Sequence, residues 1–193
     1  MTQRAPGRPR DTDIDERVLD VTRRHLARDG YAALSLVAVA ADAATTRQAL
    51  YRRWPTKADL ATAAISAMAR ASELPLTEDP YADLVAELTA FRRGITRPDG
   101  LSMVGTMLAG STDTDLVALY RQRVVAPRRQ RLRSILERAM AKGLLDADAD
   151  LDVAVPMLTG SWYANALAGR PPTPRWPERA AALVWRSLGG EVP

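Results

Sequence analysis

From residue 13 onward, apolar and polar positions alternate with a helical period. Ile14, Val18, Val21, Leu26 and Ala27 recur at roughly helical spacing, and Asp13, Asp15 and Glu16 fill the first turn, where carboxylates suit the helix dipole. Gly30 closes this first helix and leaves Tyr31 and Leu34 in a connection beneath it. Ser35 is placed to cap a second, alanine-rich helix over residues 36–43, with Leu36, Val39 and Ala40 on one face. After a turn at Ala43 to Thr45, Thr46 caps a third helix reaching about Trp54. Leu50 and Trp54, four apart, point inward on it, while Arg47, Gln48, Tyr51 and Arg52 stay outside. Pro55 stops that helix. Thr56, with Asp59 three positions on, resembles a shortened capping box and opens a fourth helix over residues 56–71.

The rest of the chain is also helical in pattern. Residues 72–80 are polar and contain Pro75 and Pro80, which reads as a connection. Leu84, Val85, Leu88 and Phe91 form a stripe over residues 81–95, and Pro98-Asp99-Gly100 predicts a turn before a short apolar helix over 101–109. Residues 113–142 read as one long helix interrupted at Pro127, where the missing donor makes it bend or restart. Arg128, Arg129, Arg131 and Arg133 are interleaved there with an apolar stripe, which favours a solvated face over a nucleic-acid contact. Residues 150–167 are apolar almost all round, and a final helix spans about 178–188. A helix apolar on every side must be covered on every side. Small residues at Gly160, Ser161 and Ala164, with Leu167, Leu183 and Val184, make these last two helices candidates for packing against a second copy. The predicted fold class is all-α.

Composition narrows the possibilities. Apolar residues make up 47% of the 193 and charged residues 26%, the balance of a globular protein. No apolar run approaches the roughly 18 residues of a membrane span. Zero cysteines exclude a disulfide framework, and His25 is the lone histidine, a weak metal candidate. These features favour a cytoplasmic location. Paired Glu-x-x-His motifs, Gly-rich phosphate loops and nucleophile–histidine groupings are missing, so an all-α enzyme or carrier is a remote reading and no cofactor is implied. The net charge of +4 is unevenly placed: residues 1–70 hold 12 basic and 8 acidic side chains, residues 71–193 hold 15 of each. The excess therefore sits in the N-terminal third, as in a small nucleic-acid-binding head on a neutral body.

Within that third, residues 43–57 stand out. They hold Arg47, Arg52, Arg53 and Lys57 with no acidic residue, plus Tyr51 and Trp54. Two short helices joined by a tight turn, the second basic on its outer side, describe a helix-turn-helix. Such a helix can enter the DNA major groove, about 12 Å wide, only if a core holds its inner face. Arg47 and Gln48 suit guanine and adenine edges, and Tyr51, Arg52 and Lys57 fall where phosphate would lie. Residues 1–10, with Arg4, Arg8 and Arg10, read as a flexible basic arm able to reach phosphates or a minor groove.

The order of a basic GRPR arm, a first helix ending DGY, and SLVAVAADAATTRQALYRRWPTKADL resembles the TetR family of bacterial transcriptional regulators over roughly residues 7–70, with LYRRWPTKADL the most specific part. Two positions depart from the family pattern: Ala44-Thr45 stands where the turn commonly has Gly and an aliphatic residue, and Ala49 replaces a frequent hydroxyl. The resemblance implies that Thr46 caps the recognition helix, that Arg47 and Gln48 face bases, and that Ser35, Tyr51 and Lys57 meet the backbone. It implies a helix-turn-helix over residues 11–55, a connecting helix over 56–71, and an effector-binding, dimerising body over 72–193. The expected partners are double-stranded operator DNA, a second copy in a four-helix bundle, and a small molecule. Phe91, Met103, Met107, Tyr120, Met157 and Trp162 are candidate walls for a largely apolar effector, or plain core. The expectation is a ligand-released repressor, with a DNA-binding regulator lacking an effector as the alternative.

Overall fold

A capping side chain or a first-turn proline marks where most of the helices begin. The computed structural model describes residues 11–108, 113–170 and 173–193; the arm at 1–10 and the side chains of residues 11, 12, 101, 102, 107 and 108 lie outside the described residues. The elements are α1 (Asp11–Ala33), α2 (Leu36–Asp42), α3 (Arg47–Arg53), α4 (Lys57–Ala71), α5 (Pro80–Ile95), α6 (Pro98–Leu108), α7 (Thr114–Tyr120), a π-helical turn (Arg121–Val125), α8 (Ala126–Ala141), α9 (Leu151–Leu167) and α10 (Trp176–Ser187). No strand occurs among the described residues. Asp79 caps α5 by accepting from the amides of Tyr81 (2.9 Å) and Ala82 (3.0 Å). Asp113 and Asp150 open α7 and α9 in the same way. Gly30 interrupts α1 with φ 76° and ψ 173°, a conformation that side chains resist, and a last turn runs on to Ala33.

Two of the expected boundaries move. Pro98-Asp99-Gly100 begins α6 and does not form a free turn: proline at the first helical position loses no internal bond, and Asp99 suits the positive helix end. The buried Asp99 carboxylate also faces the Arg23 guanidinium of α1 at 3.4 Å. The long segment around Pro127 neither breaks nor restarts. Proline cannot donate to the carbonyl four residues back, and the helix absorbs the mismatch by widening into the π turn just before α8.

The chain forms two compact units, residues 1–68 with 97–123, and residues 69–96 with 124–193. In the first, α6 packs along α1, and α2 packs against both α1 and α3. Val18, Val21, Leu26, Leu50, Leu60, Met103 and Leu116 are almost fully buried in its core. In the second, α5 packs on α8 and α10, and α9 lies against the same two helices. Leu84, Leu88, Leu132, Ile135, Leu136, Leu158 and Trp185 fill the interior. Tyr81 meets Trp185 edge-on, with ring centroids 5.2 Å apart.

The arginine run of α8 is no plain solvated face. Arg131 Nε donates to Glu87 Oε2 at 2.7 Å, and Arg138 Nη1 to Asp83 Oδ2 at 2.9 Å, both carboxylates being buried. Arg133 pairs with Asp152 and Glu137, and the Arg128 guanidinium lies 5.1 Å from the Phe91 ring centroid. The run was expected to be solvated because sequence spacing alone does not show which acids face it from α5 and α9.

Candidate nucleic-acid interface

A helix of seven residues such as α3 has no stability of its own in water, so its neighbours must supply it. Thr46 Oγ1 accepts from the Ala49 amide at 3.1 Å, which satisfies one orphan donor at its start. Leu50 is 1% exposed and Trp54 9%, which fixes the inner side. α2 is held as firmly: Ser35 caps it, Arg17 Nε donates to Ala43 O at 2.8 Å, and His25 Nε2 shares a 2.7 Å hydrogen bond with Asp42 Oδ2. His25 is thus a buried strut between α1 and α2.

The turn between the two helices is a complete Schellman closure. The amide of Thr45 donates to Ala40 O and that of Ala44 to Ala41 O, each at 3.0 Å. This geometry requires a left-handed residue, and Ala44 supplies it at φ 49°. The sequence departure from glycine therefore falls on the position where a Cβ is most costly.

The four cations of residues 43–57 divide into two pairs. Arg47 and Arg52 are exposed, together with Gln48 and Tyr51. The Arg47 guanidinium lies 6.0 Å from the Tyr51 ring centroid, one helical turn on. Arg53 turns inward to Asp15 of α1, with Nε 2.7 Å from Oδ1. Lys57 also turns inward: Nζ donates to Ala32 O at 2.7 Å and sits 4.6 Å over the Tyr31 ring. Burial there pulls the Lys57 pKa down from its ordinary value. The expected phosphate lysine is thus engaged with its own chain, with two of its three donors still to be directed. Ser35 and Thr46 are exposed at the heads of their helices.

The effector candidates divide between the two units. Met103 is fully buried and Tyr120 half-buried in the first unit; Phe91 and Trp162 are buried in the second. Met157 is 45% exposed on the outside of α9 and is no interior wall, a matter of helical phase that an all-apolar helix conceals. The side chain of Met107 lies outside the described residues. Two of the candidates meet in an aromatic cluster that Tyr163 and Trp176 complete: Phe91 packs on Trp162, Tyr163 and Trp176 with centroids 6.1, 5.8 and 5.8 Å away. Burial raises the Tyr163 phenol pKa, and the buried Trp162 Nε1 has no hydrogen-bond partner among the described residues.

Of the interface candidates, Ala164, Leu167 and Leu183 are exposed and Gly160 is half-buried. Val184 instead lies in its own unit's core at 2% exposure, because it is one step around α10 from Leu183. Ser161 Oγ accepts from Trp176 Nε1 at 3.1 Å, an internal contact. Val153 joins the exposed apolar set at 56%.

A short capped helix, buried along one side and cationic along the other, on a scaffold of packed helices, defines a helix-turn-helix DNA-binding regulator. Residues 18–64 match the family model described as bacterial regulatory proteins of the tetR family, and residues 74–184 match the tetracyclin repressor-like C-terminal domain. The chain belongs to the TetR family of transcriptional regulators, whose members bind DNA operators and dimerise. It is similar to the DNA-binding transcriptional repressor TetR of Mycobacteroides abscessus, 31% identical over 74% of this chain and 78% of that one. The HTH-type transcriptional regulator YdeS of Bacillus subtilis is 27% identical over 83% of this chain and 82% of its own. Among solved structures, the TetR family transcription regulator SCO0332 superposes with a TM-score of 0.72 and 31% identity, covering 94% of this chain and 100% of that one.

Proposed function

We propose that this regulator is a repressor that binds a two-fold operator as a homodimer and is released by a small aromatic effector. The observation that supports it best is the division of α3, whose Leu50 side is locked into the core while Arg47, Gln48, Tyr51 and Arg52 project outward. In this reading Arg47 and Gln48 contact base edges. Ser35, Thr46, Tyr51, Arg52 and Lys57 position the backbone, Lys57 by redirecting its ammonium. Exposed Leu183, Leu167, Ala164 and Met157 supply the apolar surface of the pairing face. The relative from M. abscessus bears the description of repressor, which favours repression over activation.

The aromatic cluster supports a largely apolar, aromatic effector. Phe91, Trp162, Tyr163 and Trp176 offer edges and faces to a planar ring, and the Trp162 N–H, which has no partner among the described residues, offers a donor to an acceptor on it. Release requires the effector to prefer the conformation that does not bind DNA. The deciding experiment is selection of bound sites from random duplex DNA. A two-fold consensus is expected; a one-sided site, or no enrichment, overturns the proposal. Released DNA on addition of planar aromatic acids or ketones tests the effector arm.

A further inference from the structure

The first turn of α4 is braced from two directions by one short segment, α7 with its π turn. Arg123, in that π turn, reaches the start of α4 with a fork of donors. Nη2 donates to Asp59 Oδ1 at 2.9 Å, and Nη1 reaches Thr62 Oγ1 at 3.2 Å and Asp59 O at 3.3 Å. Asp59 is at the same time the capping partner of Thr56. Its amide donates to Thr56 Oγ1 at 3.0 Å, and the Thr56 hydroxyl donates back to Oδ2 at 2.8 Å. One carboxylate thus serves both the cap of α4 and the distant arginine. At the other end of α7, its N-cap Asp113 accepts the Tyr31 hydroxyl at 2.5 Å, and the Tyr31 ring lies under the Lys57 ammonium.

The recognition helix cannot ignore this brace. α3 ends at Arg53 and α4 starts at Lys57, so only Trp54, Pro55 and Thr56 lie between. Trp54 is buried and its amide donates to Leu50 O, while Pro55 has a fixed φ, so the link has little slack. A shift of the first turn of α4 is passed on to Arg47 and Gln48. We infer that Arg123, acting through Asp59 and supported by the Tyr31–Asp113 contact, is a positioning residue that sets the pose of the recognition helix without touching DNA. This rests on the DNA-binding reading of α3. It also gives the π turn a role: Arg123 is the last residue of the first unit, so the chain runs from this brace directly into the second.

Two measurements on the full chain separate the inference from the reading beneath it. The first is hydrogen exchange of residues 47–60 without DNA. Arg123→Ala is expected to speed exchange there and leave α5 and α10 unchanged; unaltered exchange overturns the brace. The second is affinity for the duplex selected by the wild-type chain. Arg123→Ala and Asp59→Asn are each expected to weaken it on the order of tenfold, a coupling of ordinary size. The double variant should lose less than the product of the two single losses, because the Arg123–Asp59 contact is common to both. The salt dependence should keep its slope, since no phosphate contact is lost. Additive losses with a shallower slope would make Arg123 a phosphate contact and overturn the inference. If Arg123→Ala unfolds the chain, Arg123→Lys replaces it, keeping the charge but losing the fork; wild-type exchange and affinity in that variant overturn the inference. If the wild type selects no DNA, the reading of α3 fails while exchange still decides the brace.

Discussion

Arg53 of α3 and Asp15 of α1 form an ion pair, Nε to Oδ1 at 2.7 Å, that ties the end of the recognition helix to the first helix. The arginine side chain is 17% exposed and the aspartate 39%, so water screens the pair in part. Asp15→Ala should therefore cost about 1 kcal/mol of stability, the upper end for exposed pairs. Urea midpoints check this. Base preference should remain that of the wild type, because Arg53 faces the protein.

Arg47→Ala or Gln48→Ala should do the opposite. Both side chains are exposed, so stability should stay within about 0.5 kcal/mol. Discrimination at one base pair of each half-site should fall by about 1 to 3 kcal/mol. Repeating the random-site selection with each variant reads this directly; an unchanged consensus removes them from the reading set.

Ala44→Gly should stabilise the protein. Alanine at φ 49° carries a left-handed penalty of roughly 1 to 2 kcal/mol, and glycine gives back part of the gain as unfolded-state entropy. A net rise of about 0.5 to 1 kcal/mol in unfolding free energy is expected, visible as a higher urea midpoint at constant slope.

Asp83 gives a pH test in the second unit. Burial by itself would raise its pKa, but the Thr77 amide, the Arg138 guanidinium and the Thr77 hydroxyl together hold it below the ordinary carboxylate value. A carboxylate depressed in the folded state stabilises fully above its unfolded pKa, about 3.9, and loses that contribution as pH falls through the folded value. Denaturant melts from pH 7 down to 2 should show a declining limb below about pH 4 that is shallower in Asp83→Asn. Arg138→Ala should cost about 2 kcal/mol at neutral pH, less than for a fully enclosed pair because Arg138 is 29% exposed.

Leu183 and Leu167 are 64% and 71% exposed, so neither contributes much to its own subunit's core. Leu183→Glu should leave the helical circular dichroism unchanged and convert a dimer to a monomer in sedimentation velocity. A variant that still sediments as a dimer places the pairing face elsewhere.

The helices were legible in the sequence because their ends are marked locally. Ser35, Thr46 and Thr56 each cap the helix that follows, and Leu50 and Trp54 mark the inner side of α3 by spacing alone. Less legible was anything decided by a partner far away in the chain. Arg53 and Lys57 look like Arg47 and Arg52 in sequence, and only Asp15, Ala32 and Tyr31 turn them inward. Met157 and Val184 were misplaced for a different reason. α9 is apolar on every side and so carries no phase signal, and the exposed Leu183 sits directly beside Val184 on α10. The Arg123–Asp59 contact spans 64 residues, and no local pattern announces it.

A π turn is, in helical bookkeeping, an α-helix with one residue inserted. Each residue of an α-helix advances the chain about 1.5 Å and turns it about 100°. Removing Arg121 or Gln122 would restore a regular helix there and, in doing so, turn Arg123 by about 100° about the helix axis relative to α7, away from Asp59. The register of the chain ahead of Arg123, and not only its chemistry, thus decides whether the guanidinium meets Asp59.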